Sequence, residues 1–208
     1  MFYFKLTPWW LRKIYGSCTW QMQEKDKVIY ITFDDGPHPL ITPFVLDELK
    51  KYDARATFFC VGKNVLNYPD VYKRILEEGH SVGNHSFSHL NGWKAKDATY
   101  LDDIAEAKKY IDSALFRPPY GRITRFQIKA LSGKRFGLKT IMWTVLSGDF
   151  DPSISPAKCY GNVTANAGKG SIVVFHDSEK AYPRMSYSLP LVMNYFSEKG
   201  YRFGKIQG

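Results

Sequence analysis

Cysteine is scarce in this chain: Cys18, Cys60 and Cys159 are the only three in 208 residues, and no CxxC pair occurs. That excludes a disulfide framework and a cysteine-ligated zinc site. Long apolar runs are also missing, and no stretch approaches the ~18 uninterrupted apolar residues of a membrane span. The N-terminal stretch Met1–Tyr15 is aromatic and basic. It has neither the continuous apolar run nor the small-residue cleavage site of a secretory signal. The reading is a chain without leader or transmembrane helix, placed in the cytoplasm or at the periphery of a membrane. Like charges nowhere run to five residues, so the net charge of +9 is scattered and a nucleic-acid interface is not expected. No repeat, low-complexity tract or linker divides the sequence.

What is present is an aromatic-rich globular composition, with 14 Tyr, 14 Phe and 5 Trp. Most of these rings must fill a core, and the remainder suit flat apolar faces such as those of sugars. Short β-branched or aromatic runs mark seven strands, near 28–33, 56–61, 81–84, 114–117, 138–143, 171–175 and 201–204. Helical periodicity separates them after Thr42-Pro43 and over 69–78, 98–112, 124–132, 156–167 and 187–199. Alternation of strand and helix predicts an α/β fold with a mostly parallel sheet, open or closed into a barrel. Residues 28–208 form the expected domain, and 1–27 an N-terminal segment packed on or beside it. An interfacial membrane contact through that segment is the other reading of its aromatic and basic character.

In parallel α/β folds the chemistry sits at the carboxyl ends of strands. Polar or ionisable residues follow the strand runs one after another: Asp34-Asp35, His85, Arg117, Asp149 and His176. Gly36-Pro37 supplies a turn that lets both neighbouring acids reach one cavity. His85 and His89 are four apart, so a helical turn would set both rings on one side. One Asp and two His leave room for water at a divalent cation, as in catalytic zinc sites. The second acid is then free to act as base, which assigns Asp34 to that role, with His176 as the acid. Arg117 can fork onto Asp34, and Asp149 can orient His176. Pro118-Pro119 stiffens the segment that presents the Tyr120 amide to a developing oxyanion.

With these residues in place, the chain resembles the polysaccharide deacetylases of carbohydrate esterase family 4, the NodB-homology family. The likeness spans about residues 28 to 204. Thr32-Phe33-Asp34-Asp35-Gly36-Pro37 is similar to the first family motif, His85-Ser86-Phe87-Ser88-His89 to the second, and Arg117-Pro118-Pro119-Tyr120-Gly121 to the third. The fourth, usually DxxDW, departs: Leu146 stands for the first Asp and Phe150 for the Trp, while Asp149 matches. The fifth, LxH, reads Val174-Phe175-His176.

The resemblance implies a distorted seven-stranded (β/α) barrel that hydrolyses N- or O-acetyl groups of a sugar polymer. It implies Asp34 as base, Asp35, His85 and His89 as ligands of one divalent metal, and Arg117, Asp149, Tyr120 and His176 as supporting or acid groups. Zinc is the expected ion, with cobalt, nickel and manganese as other fits. Pro118, Tyr120, Phe150, Val174 and Trp93 are the expected substrate contacts, with Tyr182 a further stacking candidate. The stretch Ser178–Pro190, with Lys180 and Arg184, reads as a loop bordering the pocket. Rival readings are a deformylase or amidohydrolase acting on a small or lipid-linked sugar, and a non-catalytic glycan-binding module.

Overall fold

The computed structural model describes residues 3–208; Met1 and Phe2 of the N-terminal aromatic segment lie outside the described residues. After a short helix α1 (Trp9–Ile14), strands and helices follow in the order β1 (Val28–Asp34), α2 (Ile41–Lys50), β2 (Thr57–Cys60), α3 (Gly62–Asn67), α4 (Pro69–Glu77) and β3 (Ser81–Asn84). Then come α5 (Asp97–Ala107), β4 (Leu115–Phe116), α6 (Arg125–Ser132), β5 (Lys139–Thr140) and β6 (Val145–Leu146). The chain finishes with α7 (Pro156–Thr164), β7 (Ile172–His176), α8 (Tyr182–Glu198) and β8 (Arg202–Phe203). The strands pair in the order β5-β4-β3-β2-β1-β7-β6, every pairing parallel, and β8 joins the start of β1 off that path.

Seven strands in the main path match the expected number, but the membership differs. The run 138–143 yields only β5, and Val145–Leu146 of the fourth motif forms a strand of its own, while the last run lies off the path. A two-residue strand carries too little periodicity to be seen in sequence. Helix α8 starts at Tyr182, five residues before the expected 187. Pro183 sits in its first turn, where no N–H is required, and the helix tolerates Pro190 inside. Most of the expected loop 178–190 is therefore helix.

Register decides the two faces of the sheet. Asp34 of β1 is level with Phe59 of β2 and His176 of β7, and Thr32 is level with Thr57 and Val174. Side chains alternate along a strand, so these residues share one face. Ile29, Ile31, Phe33, Phe58, Val173 and Phe175 point to the other face, into the buried core beneath the helices. The inner face has its own smaller cluster, including Tyr30, Phe59, Leu115, Ile141 and Ile172. The strands curl so that the chain passes from one sheet edge, β5, to the other, β6, through only Ile141–Thr144. The N-terminal segment fills that seam. Leu6 bridges to Val145, Thr19 to Ile141 and Gln21 to Ser171, and the Thr7 amide donates to the Thr144 carbonyl at 2.9 Å.

Candidate active site

The loop after β1 and the loop after β3 meet at the carboxyl end of the sheet. Asp35, His85 and His89 offer ligand atoms that all lie within 4.8 Å of one another. His89 Nε2 is 3.1 Å and His85 Nε2 3.8 Å from Asp35 Oδ1. His85 Nδ1–H donates to the Arg117 carbonyl at 2.8 Å, which leaves Nε2 as the free donor atom. Burial holds the His85 ring well below its ordinary value, at about 4, so it stays neutral, as a metal ligand must be. Burial works against the Asp35 anion, but the hydrogen bond from His89 and the neighbouring imidazoles outweigh it and hold the carboxyl below its usual range. A neutral imidazole with a fixed tautomer, beside a second imidazole and an anionic carboxylate, fits a divalent cation.

The two histidines do not converge through a helical turn. Ser86 and His89 both have positive φ, 63° and 59°, and residues 85–89 form an irregular loop. Local polar bonds hold it: Asn84 accepts from the Ser86 amide at 2.8 Å, and Asp103 of α5 accepts from the amides of Phe87 and Ser88 and from the Ser88 hydroxyl. Asp35 and Tyr120 also have positive φ, 83° and 59°. Among the described residues, four of the five non-glycine residues in that region belong to this site, and such conformations persist only where surroundings enforce them.

Asp34 lies beside this cluster and is nearly fully buried. Arg117 Nη1 donates to Asp34 Oδ1 at 2.8 Å and to Thr32 Oγ1 at 2.6 Å. Its other nitrogens reach the carbonyls of Ile141 and Met142, and its plane stacks 4.0 Å from the centre of the Phe59 ring. A fully buried guanidinium with every edge occupied is a rigid anchor for the acid. Pro118 and Pro119 follow, and Tyr120 emerges half-exposed with its ring 4.6 Å from that of His89. Among the described residues no hydrogen bond takes up the Tyr120 amide.

His176 ends β7. Asp149 accepts from its backbone N–H and from Nδ1, both at 2.7 Å, so Nε2 is the free nitrogen. Burial opposes the charged ring, yet the Asp149 carboxylate prevails and raises His176 to about 10. Phe150 packs edge-on against His176 at 5.3 Å, and Tyr3 packs on Phe150 at 5.0 Å while donating to Asp151. Val174 is fully buried two residues before His176 on the same face, so it is floor beneath the site with no surface exposed to a ligand. Leu146 is buried beside it in register, where an apolar residue needs no polar partner.

Other residues singled out in sequence fall further from this centre. Trp93 is exposed, donates from Nε1 to the Ile123 carbonyl, and has one ring face covered by Arg122 at 4.3 Å. Tyr182 packs edge-on against Phe44. Arg184 does not face solvent as an anion-binding group would: it is buried and donates to the carbonyls of Asp149 and Lys180. Asp177 escaped the sequence reading. Its carboxylate is buried, accepts from the Gly36 amide at 3.0 Å and from the Thr42 hydroxyl, and so clamps the turn that carries Asp35. A Cβ on Gly36 would lie 2.0 Å from Asp177 Oδ2, so no other residue fits there. Burial raises the Asp177 carboxyl to about 7. The available signal was an acid directly after the terminal His of an apolar strand.

The family described as polysaccharide deacetylase matches residues 21–140. A peptidoglycan-N-acetylglucosamine deacetylase of Bacillus cereus is 36% identical over 196 residues, 90% of each chain. A chitooligosaccharide deacetylase of Azorhizobium caulinodans is 32% identical over 165 residues, covering 76% of this chain and 77% of that one. Among solved structures, the Bc1960 peptidoglycan N-acetylglucosamine deacetylase superposes with a TM-score of 0.86 at 28% identity, covering 94% of both chains.

Proposed function

The chain belongs to the polysaccharide deacetylase family, and from that premise we propose that it hydrolyses the acetamide of N-acetylglucosamine units in a peptidoglycan-like glycan. It is a hydrolase of the carbohydrate esterase type on a parallel α/β sheet, with an Asp-His-His group able to bind a divalent metal. The observation that carries the proposal is a pair of anchored proton-transfer groups standing beside that group at the ends of adjacent strands. Asp34 is anchored by Arg117 on one strand, and His176, anchored by Asp149, is level with it on the next.

Asp35, His85 and His89 are the proposed ligands, and two imidazoles with one carboxylate favour zinc over cobalt, nickel or manganese. A divalent cation held there supplies Lewis-acid polarisation of the acetyl carbonyl and acidifies the attacking water. Asp34 takes the proton from that water as its oxygen bonds to the acetyl carbon. The Tyr120 N–H donates to the carbonyl oxygen as negative charge develops on it. His176 Nε2–H then gives its proton to the amide nitrogen as the C–N bond breaks, releasing acetate and a glucosamine amine. Arg117 and Asp149 act through the residues they position. Phe150 walls the acetyl side, Pro118 shapes the segment before Tyr120, and Trp93 offers its remaining face to a sugar ring.

Retention of base and acid together favours hydrolysis over glycan binding alone, since a binding module needs neither. The deciding measurement is acetate release from peptidoglycan and from N-acetylglucosamine oligomers by metal-loaded protein. Release from either, abolished in Asp34→Asn, is the expected result; metal uptake with no hydrolysis of any N-acetylated glycan overturns it.

A further inference from the structure

Helix α1 is inside out for a surface helix. At 100° per residue, Trp9, Lys13, Trp10 and Ile14 fall on one arc, with Leu11 and Arg12 on the other side. The inner residues Leu11 and Tyr15 pack against the buried cluster that includes Cys18, Trp20 and Met142. The arc facing solvent should then be polar, yet Trp9 is 75% exposed, Ile14 46% and Trp10 44%. Leu6 at 46% and Phe4 at 40% extend the same stretch, with Phe4 edge-on to Trp10 at 6.1 Å. Five large apolar side chains thus stand exposed within residues 4–14.

Charge along this stretch of the sequence has one sign. Lys5 and Lys13 lie within it, Arg12 points to the other side of the helix and donates to Gln21, and no acidic residue precedes Glu24. A sugar platform would need amide or carboxylate groups beside the rings to bond hydroxyls, and residues 3–15 contain neither Asn, Gln, Asp nor Glu. The Thr7 hydroxyl is taken by the Trp143 carbonyl. Indoles flanked by cations, with aliphatic side chains between them, match the interface of an anionic bilayer, where Trp settles at headgroup depth and Lys meets lipid phosphate.

We propose that residues Phe4–Ile14 form a docking surface for an anionic lipid membrane, held rigidly by the seam into which the segment is woven. The segment borders the candidate cleft: Tyr3 packs on Phe150 beside His176, and the inner residues Leu11 and Tyr15 line a small cavity with Trp93, Gly121 and Arg122. Docking would hold the hydrolytic site against a lipid-covered face.

The test is flotation of the full chain with vesicles of three parts phosphatidylcholine to one part phosphatidylglycerol, against phosphatidylcholine alone. Tryptophan quenching by brominated lipid is read in parallel. The protein is expected to float with the anionic vesicles, to be released by salt, and to have its fluorescence quenched. Trp9→Ser with Trp10→Ser should weaken partitioning by at least roughly tenfold, and Lys13→Glu alone should weaken it less, both with unchanged acetate release from a soluble N-acetylglucosamine oligomer. Absence of flotation by the wild-type chain, or flotation indifferent to these substitutions, overturns the proposal. So does Trp9- and Trp10-dependent retention on an insoluble glycan without vesicle binding. The vesicle readout stands independently of hydrolysis, so its failure is distinct from failure of the deacetylase reading.

Discussion

At the scale of single residues, the candidate site rests on buried pairs: Arg117 holds Asp34, and Asp149 holds His176. Asp34→Asn preserves shape and leaves Arg117 with the oxygens of Thr32, Ile141 and Met142. It is expected to lower kcat for acetate release by at least about a hundredfold, the usual worth of a general base, with metal content unchanged by elemental analysis. Arg117→Ala is a different experiment: it strands a buried acid and is expected to cost about 3–5 kcal/mol of stability in a denaturant titration.

The His176–Asp149 pair makes a pH prediction. Because the folded ring sits near 10 against an ordinary 6.5, its protonated form contributes stability in full below about pH 6.5, and that contribution is lost as pH rises through 10. The same shift keeps the His176 ring, the proposed acid, protonated through neutrality. Asp149→Asn removes the carboxylate that raises the ring, so the alkaline limb of the pH–kcat profile should move to lower pH by more than about one unit. A limb that stays in place would show that His176 is not the acid. Asp177 acts one layer out, on the Gly36 turn; Asp177→Ala is expected to weaken metal binding while Asp177→Asn, which keeps an acceptor for the Gly36 amide, largely restores it in a calorimetric titration.

At the scale of elements, strand ends were legible and loop conformations were not. The runs ending at Asp34 and His176 announce themselves by β-branched and aromatic content, and with the shorter strands ending at Asn84 and Phe116 they deliver their groups to the same end of the sheet. Spacing of four between His85 and His89 suggests a helical turn, but two left-handed residues bring the rings together instead. What enforces that geometry is Asp103, sixteen residues beyond Phe87 and on another element. Sequence periodicity carries no trace of such a bond. Asp103→Ala should therefore reduce metal affinity by roughly tenfold or more, the usual cost of losing an outer support of a ligand. The fold should be retained by circular dichroism. Affinity equal to wild type would show the loop to be self-supporting.

At the scale of the whole molecule, the curl of the sheet leaves its two edges on either side of Ile141–Thr144, and residues 5–22 close the seam with backbone bonds to Leu146, Thr144, Met142 and Gly170. Unpaired edges recruit other chains. We propose that this segment folds as part of the domain, and a chain lacking residues 1–22 is expected to melt at lower temperature and to scatter light on warming. Unchanged melting would mark the segment as a mere appendage. Among the described residues, no helix is long and apolar enough to cross a membrane.

The sequence by itself determined the strand–helix alternation, the residues that end the longer strands, and the candidate donor set of one carboxylate and two imidazoles. These are matters of local composition and of side-chain chemistry, which a chain carries before it folds. Only the tertiary structure decided that Arg117 is sealed against Phe59, that Asp103 and Asp177 brace the loops carrying His85–His89 and Asp35, and that the aromatic N-terminus presents Trp9 and Trp10 to solvent. Each of those depends on groups brought together from distant positions by the curl of the sheet, and no local pattern encodes a contact whose partners are chosen by the rest of the fold.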